Sequence, residues 1–289
     1  MNISLVIPTR NRPLALERAL ASGGVGIESV FVVDDYSSVS ALEQVRRVCR
    51  SDNRVQLLEN SRRMGAAICR NQGVRGAQTE WLLFLDDDDQ LCEGFFDSMV
   101  QLLGSDPKVQ AWIPDVRNAW QRHLSPVERS DALARNRVGG CSGFLIRKSL
   151  FEAVGGFDED FPSMQDWDLW LRLIERNALY YSGVVGVIYD PNSEQKITHN
   201  LLIKYRGLRR LYFKHLNLWS LSAREQHLLR LSHDMPQATI EEFLCSNRWI
   251  DELNLKALCN EIPHAYHNNF PTARTRDNAL RWTLVRGKS

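Results

Sequence analysis

Apolar residues fall into short runs separated by amphipathic stretches over roughly the first 190 positions. Ile3–Pro8, Ser29–Asp34, Val55–Glu59 and Trp81–Leu85 predict strands, the last of them buried. Helical spacing fills the gaps. One helix begins near Pro13, a good first-turn residue, and stops at Gly23-Gly24. A second runs to about Arg50 behind a Ser40/Glu43 capping box, and a third covers Ala66–Arg75. Alternating strand and helix predict an α/β fold, a doubly wound and mostly parallel sheet with ligands at the strand carboxyl ends.

The pattern then loosens. Residues 114–138 hold few apolar residues at either period and predict a polar loop. The small-residue stretch Gly139–Gly143 feeds a strand, Phe144–Arg147, and a helix opened by a Ser149/Glu152 box and closed by Gly155-Gly156-Phe157. Trp167, Trp170, Leu171 and Ile174 predict a helix over Asp166–Asn177, and Val184–Ile188 a last strand. From Leu201 the pattern is helical, with Tyr205, Leu208, Tyr212, Leu216 and Trp219 in step and later boxes at Ser222/Glu225 and Thr239/Glu242. The organisation expected is a catalytic domain over 1–199 and a helical, basic extension over 200–289 packed on it.

Composition narrows the class. Of 289 residues 44% are apolar and 25% charged, as in a globular protein with a sizeable core. A net charge of +1 gives no bias toward nucleic acid, although residues 200–289 carry +6 and the first 199 carry −5. Six cysteines without a CxxC pair predict reduced thiols and a cytoplasmic location. The first residues read as a strand rather than a signal peptide, and no apolar run approaches the roughly 20 residues that span a bilayer.

Chemistry concentrates at two predicted strand ends. Asp86-Asp87-Asp88-Asp89 follows Trp81–Leu85 directly. Four clustered carboxylates repel one another unless a cation neutralises them, which points to a divalent metal. The plain alternative is a solvated acidic turn. In an extended segment Asp86 and Asp88 share one side, leaving Asp87 structural. Asp34-Asp35, after Val30–Val33, can accept hydrogen bonds from a base N–H or ribose hydroxyls, or cap the following helix. Asp166 can likewise cap its helix.

Six motifs occur in order: Ile7-Pro8-Thr9-Arg10-Asn11-Arg12, Val33-Asp34-Asp35-Tyr36-Ser37, Arg70-Asn71 with Gly73, Phe84–Asp89, Gly155-Gly156-Phe157-Asp158-Glu159 and Gln165-Asp166-Trp167-Asp168-Leu169-Trp170. The set resembles the family-2 glycosyltransferases of the GT-A fold over roughly residues 1–190. That resemblance implies an inverting transferase using a nucleotide-activated sugar and a divalent cation, Mn²⁺ or Mg²⁺. By position, Pro8, Thr9, Asn11, Asp35, Arg70, Asn71 and Asp86 are expected to bind the nucleotide-sugar. Asp35 looks like the aspartate that holds uracil. Asp86 and Asp88 look like the metal pair. Asp166 takes the place of the general base, although Gln165 replaces the acidic neighbour usual in the family. Its position at a helix N-terminus favours the ionised carboxylate. Ser142, Gly143 and Trp167 are the expected acceptor contacts.

The expected reaction moves one hexose, galactose or glucose, from a UDP-sugar to a hydroxyl of a lipid-linked or lipopolysaccharide saccharide, as in O-antigen assembly. Processive relatives carry QxxRW and membrane spans. Here Cys245-Ser246-Asn247-Arg248-Trp249 has Cys in place of Gln, which implies addition of a single sugar. Arg206, Arg210 and Lys214 form a basic ridge that suits peripheral contact with an anionic inner membrane face. One rival is a sugar-1-phosphate nucleotidyltransferase, which would want a Gly-rich loop where Pro8–Arg12 has no glycine. The other is an inactive saccharide-binding scaffold, against which Asp35, Asp86, Asp88 and Asp166 stand intact.

Overall fold

The computed structural model describes residues 2–24, 26–105, 109–117, 122–133, 136–190, 201–215 and 218. The chain divides into two compact units, Met1–Lys214 and His215–Ser289. Apart from His215 and Leu218 the second lies outside the described residues, and with it the boxes at Ser222 and Thr239, the Cys245–Trp249 motif and Cys259.

The first unit opens as its pattern requires: β1 (Ile3–Thr9), α1 (Pro13–Ala21), β2 (Ser29–Asp34), α2 (Val39–Arg50), β3 (Val55–Glu59), α3 (Ala66–Gly76) and β4 (Trp81–Phe84). There follow β5 (Gln90–Leu91), α4 (Phe95–Ser105), β6 (Ala111–Val116), β7 (Ser125–Pro126), α5 (Arg129–Leu133), β8 (Leu145–Arg147), α6 (Lys148–Ala153), α7 (Gln165–Ile174), β9 (Leu179–Ile188) and α8 (Leu201–Lys214). The sheet order is β3-β2-β1-β4-β8-β6-β9-β5, with β7 paired on β9. The strands β3, β2, β1 and β4 are parallel, whereas β8 runs antiparallel to both of its neighbours. The sheet is therefore mixed beyond β4.

Three local expectations are corrected. Ser38, not Ser40, caps α2: its Oγ accepts from Ala41 N–H at 3.3 Å. Helix α6 starts after Arg147 with no side-chain cap, so Ser149 and Glu152 form no box. Residues 114–138 are not one loop, because they contain the end of β6, then β7 and α5. Pro114 hides β6 from pattern reading. A strand tolerates proline only where a ladder bond is already interrupted, and the β6–β9 register shifts between Ile113 and Asp115. The buried Asp115 is satisfied by Arg122 Nε at 2.6 Å.

Alternate strand residues face two cores. Leu5, Ile7, Val30, Val32 and Leu83 pack with Leu16 of α1, Val45 of α2 and Phe95 of α4. The other face is aromatic. Phe84 stacks on Phe144 at 5.9 Å, Phe157 meets Phe84 edge-on at 5.3 Å, and Trp170 meets Phe144 at 4.5 Å. Helix α3 lies close on this face because Gly73 allows it: a Cβ there would sit 2.5 Å from Val6 Cγ1.

Trp170 is fully buried and donates Nε1–H to Gly139 O at 3.0 Å. Trp170→Ala should cost about 3–5 kcal/mol in urea unfolding. A loss below about 1 kcal/mol would remove Trp170 from the core.

Candidate active site

β1 lies between β2 and β4, all parallel, so their carboxyl-end loops are neighbours. They deliver Pro8–Arg12, Asp34-Asp35 and Asp86–Asp89 to one rim. The chain does not stay extended after β4. It turns, with Asp89 N–H on Asp86 O at 3.1 Å, and the four carboxylates part company. Asp86 accepts from Arg70 Nη2. Asp87 is buried and accepts from Thr9 Oγ1 at 2.8 Å and Arg12 Nη1 at 2.9 Å. Asp88 shares Arg12 Nη1 at 3.0 Å. Asp89 accepts from Ser142 Oγ at 2.5 Å. Burial pushes Asp87 up to about 6, against the pull of Arg12. Burial, then the charge of Asp86, pushes Asp89 up to about 7. Burial is the larger cause at both residues, with the neighbouring carboxylates adding to it.

At the end of β2 the two aspartates divide the labour. Asp34 makes the turn, accepting from Ser37 N–H at 2.8 Å and Ser37 Oγ at 2.5 Å. Asp35 accepts from Met64 N–H at 2.5 Å and Gly65 N–H at 3.1 Å, and still lines the cleft. A carboxylate has about four lone-pair sites, so capacity for a ligand N–H remains.

Arg70 is the floor. Its side chain is 4% exposed, drawn under the rim by the close seat of α3. Its guanidinium lies 5.4 Å above Phe157, and its Nε and Nη1 are buried without a partner. Asp166, in the first turn of α7, lines the same cleft, and Trp167 N–H donates to its Oδ1 at 2.8 Å. Burial pushes the Asp166 carboxyl up to about 6, while the Trp167 N–H and the Arg70 charge pull it down. The helix N-terminus alone would have kept it low; desolvation wins.

These groups line one cleft of about 420 Å³, within the range of about 300–1,000 Å³ usual for ligand sites. It gathers Pro8, Thr9, Asp35, Arg70, Asp86, Asp88 and Asp166 from the expected set. Five others of the expected set are not among its lining residues. Asn11 has a left-handed backbone and ties the β1 and β2 loops, its N–H on Ser37 Oγ and its Oδ1 taking Ser38 N–H, both at 2.8 Å. Asn71 pins the Gly155–Phe157 turn, with Nδ2 on Phe157 O at 2.8 Å and Oδ1 taking Phe157 N–H at 3.1 Å. Ser142 is spent on the acidic turn, where it also accepts Asp86 N–H at 3.1 Å. Gly143 is buried beneath Pro114 and Val187. Trp167 is 4% exposed and donates Nε1–H to Ala132 O at 2.7 Å, so it offers no stacking face.

Pattern reading missed Arg12, Arg63, Gln165, Tyr189 and Lys204, which also line the cleft. For Arg12 a signal existed, since a basic residue ending β1 must lie beside the acids ending β4. On α8, Arg210 pairs with Asp160 at 2.7 Å, and Lys214 with Asp158 at 2.8 Å and Asp168 at 2.9 Å, so acids of this chain meet both of these cations.

Among the described residues no group of three or more His, Cys, Asp or Glu is arranged to hold a metal. The donor set of Asp86 and Asp88 nevertheless fits a hard cation. Mg²⁺-type ions take one or two carboxylates and fill the remaining positions with phosphate oxygens and water.

Parallel strands that end on an acidic, arginine-floored cleft define a class, and comparison with solved structures gives it a name, the GT-A glycosyltransferase fold. The S. aureus TarS 1-349 structure in complex with UDP-GlcNAc matches at a TM-score of 0.63 and 16% identity, over 91% of this chain and 81% of that one. The Glycosyl transferase family 2 profile matches residues 4–155, and a second, Glycosyltransferase like family 2, matches 127–260. A Campylobacter jejuni GalNAc(5)-diNAcBac-PP-undecaprenol beta-1,3-glucosyltransferase is 31% identical over 80% of this chain and 76% of its own length. A Haemophilus influenzae uncharacterized glycosyltransferase is 28% identical over 60% of this chain, and a Mycobacterium tuberculosis pre-mycofactocin glycosyltransferase 30% over 67%. The matches span 62% and 43% of those two relatives. The chain belongs to glycosyltransferase family 2.

If Asn71 clamps the Gly155–Phe157 turn, Asn71→Ala loses about 1–3 kcal/mol of stability and keeps its UDP affinity. Weaker UDP binding at unchanged stability would return Asn71 to the donor site.

Proposed function

We propose that the protein is an inverting, metal-dependent glycosyltransferase that moves one hexose from a UDP-sugar to a hydroxyl of a lipid-linked saccharide. One observation carries the reading: Asp166, Asp35 and the Asp86/Asp88 pair meet in a single cleft around a buried arginine. The TarS complexes with UDP and UDP-GlcNAc support a UDP-sugar donor. The undecaprenol-linked acceptor in the name of the Campylobacter relative supports a lipid-linked saccharide. Glucose and galactose are the donors to try first.

The roles follow from chemistry. Asp35 accepts the N–H of the nucleoside base. Asp86 and Asp88 would hold Mn²⁺ or Mg²⁺, which supplies neutralising charge to a diphosphate leaving group. Arg70 adds fixed positive charge at the cleft floor, where low dielectric strengthens it. An alcohol is a weak nucleophile, so Asp166 accepts its proton as the hydroxyl attacks the anomeric carbon from the face opposite the diphosphate. Such an acceptor brings the protein to a membrane surface, and no helix among the described residues is long and apolar enough to cross one.

Asp166→Asn should keep UDP affinity and lose about 10²–10⁴-fold in kcat. A near-normal rate would move the base elsewhere. Because only the ionised carboxylate accepts a proton, and burial raises Asp166 to about 6, kcat/KM should fall as pH drops through about 6 and level off above it. A flat profile down to pH 5 would contradict that assignment. Asp88→Ala should abolish the Mn²⁺-dependent gain in UDP affinity measured by calorimetry, whereas an undiminished gain would reject its ligand role.

A further inference from the structure

The turn that delivers Asp166 is under strain. Met164, immediately before α7, has φ +63° and ψ +18°, the left-handed region that a side chain with a Cβ disfavours. Its carbonyl accepts Asp168 N–H at 3.0 Å, which fixes only the α7 side of the turn. A strained residue persists where its surroundings over-determine it, and such residues gather at active sites. The surroundings on the other side belong to α8.

Several contacts join α8 to this turn and the residues flanking it. Ser163 is buried and donates Oγ–H to Ile203 O at 2.9 Å. Gly207, one helical turn on, lies against Ser163: a Cβ there would collide with Ser163 Oγ and sit 2.5 Å from its carbonyl oxygen. Beyond them Lys214 Nζ bridges Asp158 and Asp168 at 2.8 and 2.9 Å, and Arg210 joins Asp158 and Asp160. Phe161 lies beneath both cations, 5.2 Å from Arg210 and 5.5 Å from Lys214. Burial alone would raise Asp158, yet the hydrogen bonds from Lys214 and from Asp160 N–H hold it below the usual carboxylate range. Asp168 is fully buried and takes Arg172 as well. Residues 158–168 are thus gripped at both ends, with Asp166 inside the grip.

We propose that α8 is a clasp that holds the Ser163–Asp166 turn in its strained form, with Gly207 and Ser163 as positioning residues for the Asp166 carboxylate. The inference rests on the reading of Asp166 as the general base. It departs from the expectation that the basic residues of α8 face a lipid surface. The charges of Arg210 and Lys214 meet the acids flanking the turn. It also explains why a glycine occupies the middle of a helix, where it otherwise weakens the helix. With a larger residue at 207, Ser163 must back away, Met164 relaxes to ordinary backbone, and the carboxylate swings off the line of attack.

The test uses the full chain with Gly207→Ala, and with Gly207→Ala combined with Met164→Gly. Glycine adopts the left-handed conformation freely, so it should hold the turn without the clasp. With UDP-glucose or UDP-galactose, Mn²⁺ and an acceptor turned over by the wild type, Gly207→Ala should lose about 10–10²-fold in kcat at unchanged UDP affinity. The double variant should recover most of that loss. A helix with only a general supporting role would lower stability without such rescue. Ser163→Ala, which removes only the hydrogen bond, should show a smaller loss with the same rescue. A wild-type rate in Gly207→Ala, or a loss that Met164→Gly does not repair, overturns the clasp. A crystal structure of Gly207→Ala reads the turn without reference to activity: Met164 still left-handed, with Asp166 in place, also overturns it. An inactive wild type overturns the functional reading, and the crystal structure still decides the clasp.

Discussion

Four carboxylates at the end of one buried strand are the constraint around which this site is arranged. Like charges at that spacing cost free energy that hydrophobic packing cannot remove, so each must find a donor or a cation. Here Arg12 serves Asp87 and Asp88, Arg70 serves Asp86, and Ser142 serves Asp89. Burial nonetheless raises Asp87 to about 6 and Asp89 to about 7, so both carboxyls are easier to protonate than an ordinary aspartate.

The packing around the rim follows from keeping Arg70 beneath it. Helix α3 approaches β1 closely only because residue 73 is glycine, and the approach buries Arg70 one turn earlier. The same helix presents Asn71 to the Gly155–Phe157 turn, which seats Phe157 under the guanidinium and against Phe84. The aromatic face thus supports the charge above it. Asp166 shares the field of Arg70 with Asp86, so the two carboxylates are coupled electrostatically.

The sequence made the parallel half of the fold legible, because β1, β2 and β4 are buried and read as short, mostly apolar runs, with β3 a half-exposed edge strand beside them. It failed at β6, where Pro114 and the buried pair Asp115–Arg122 imitate a polar loop. Strand-end acids were found by position, yet their division of labour was not, since it depends on a turn at Asp86–Asp89 that no periodicity encodes. Asn11, Asn71, Ser142 and Trp167 carry family-like positions, yet their polar groups bond to neighbouring loops, and Gly143 is buried. A motif records that a residue sits near the site; it does not record whether the side chain faces the ligand or the neighbouring loop. The reverse error hid Lys204, whose helix was read as a surface rather than as a wall of the cleft.

The most direct test is a crystal grown with UDP and Mn²⁺ and measured for anomalous scattering at the manganese edge. The account predicts a manganese peak bound by Asp86 or Asp88, with Arg70 or Arg12 released from that carboxylate and the diphosphate facing Asp166. Both arginine pairs closed around carboxylates that bind no manganese, with UDP in the cleft, would contradict it.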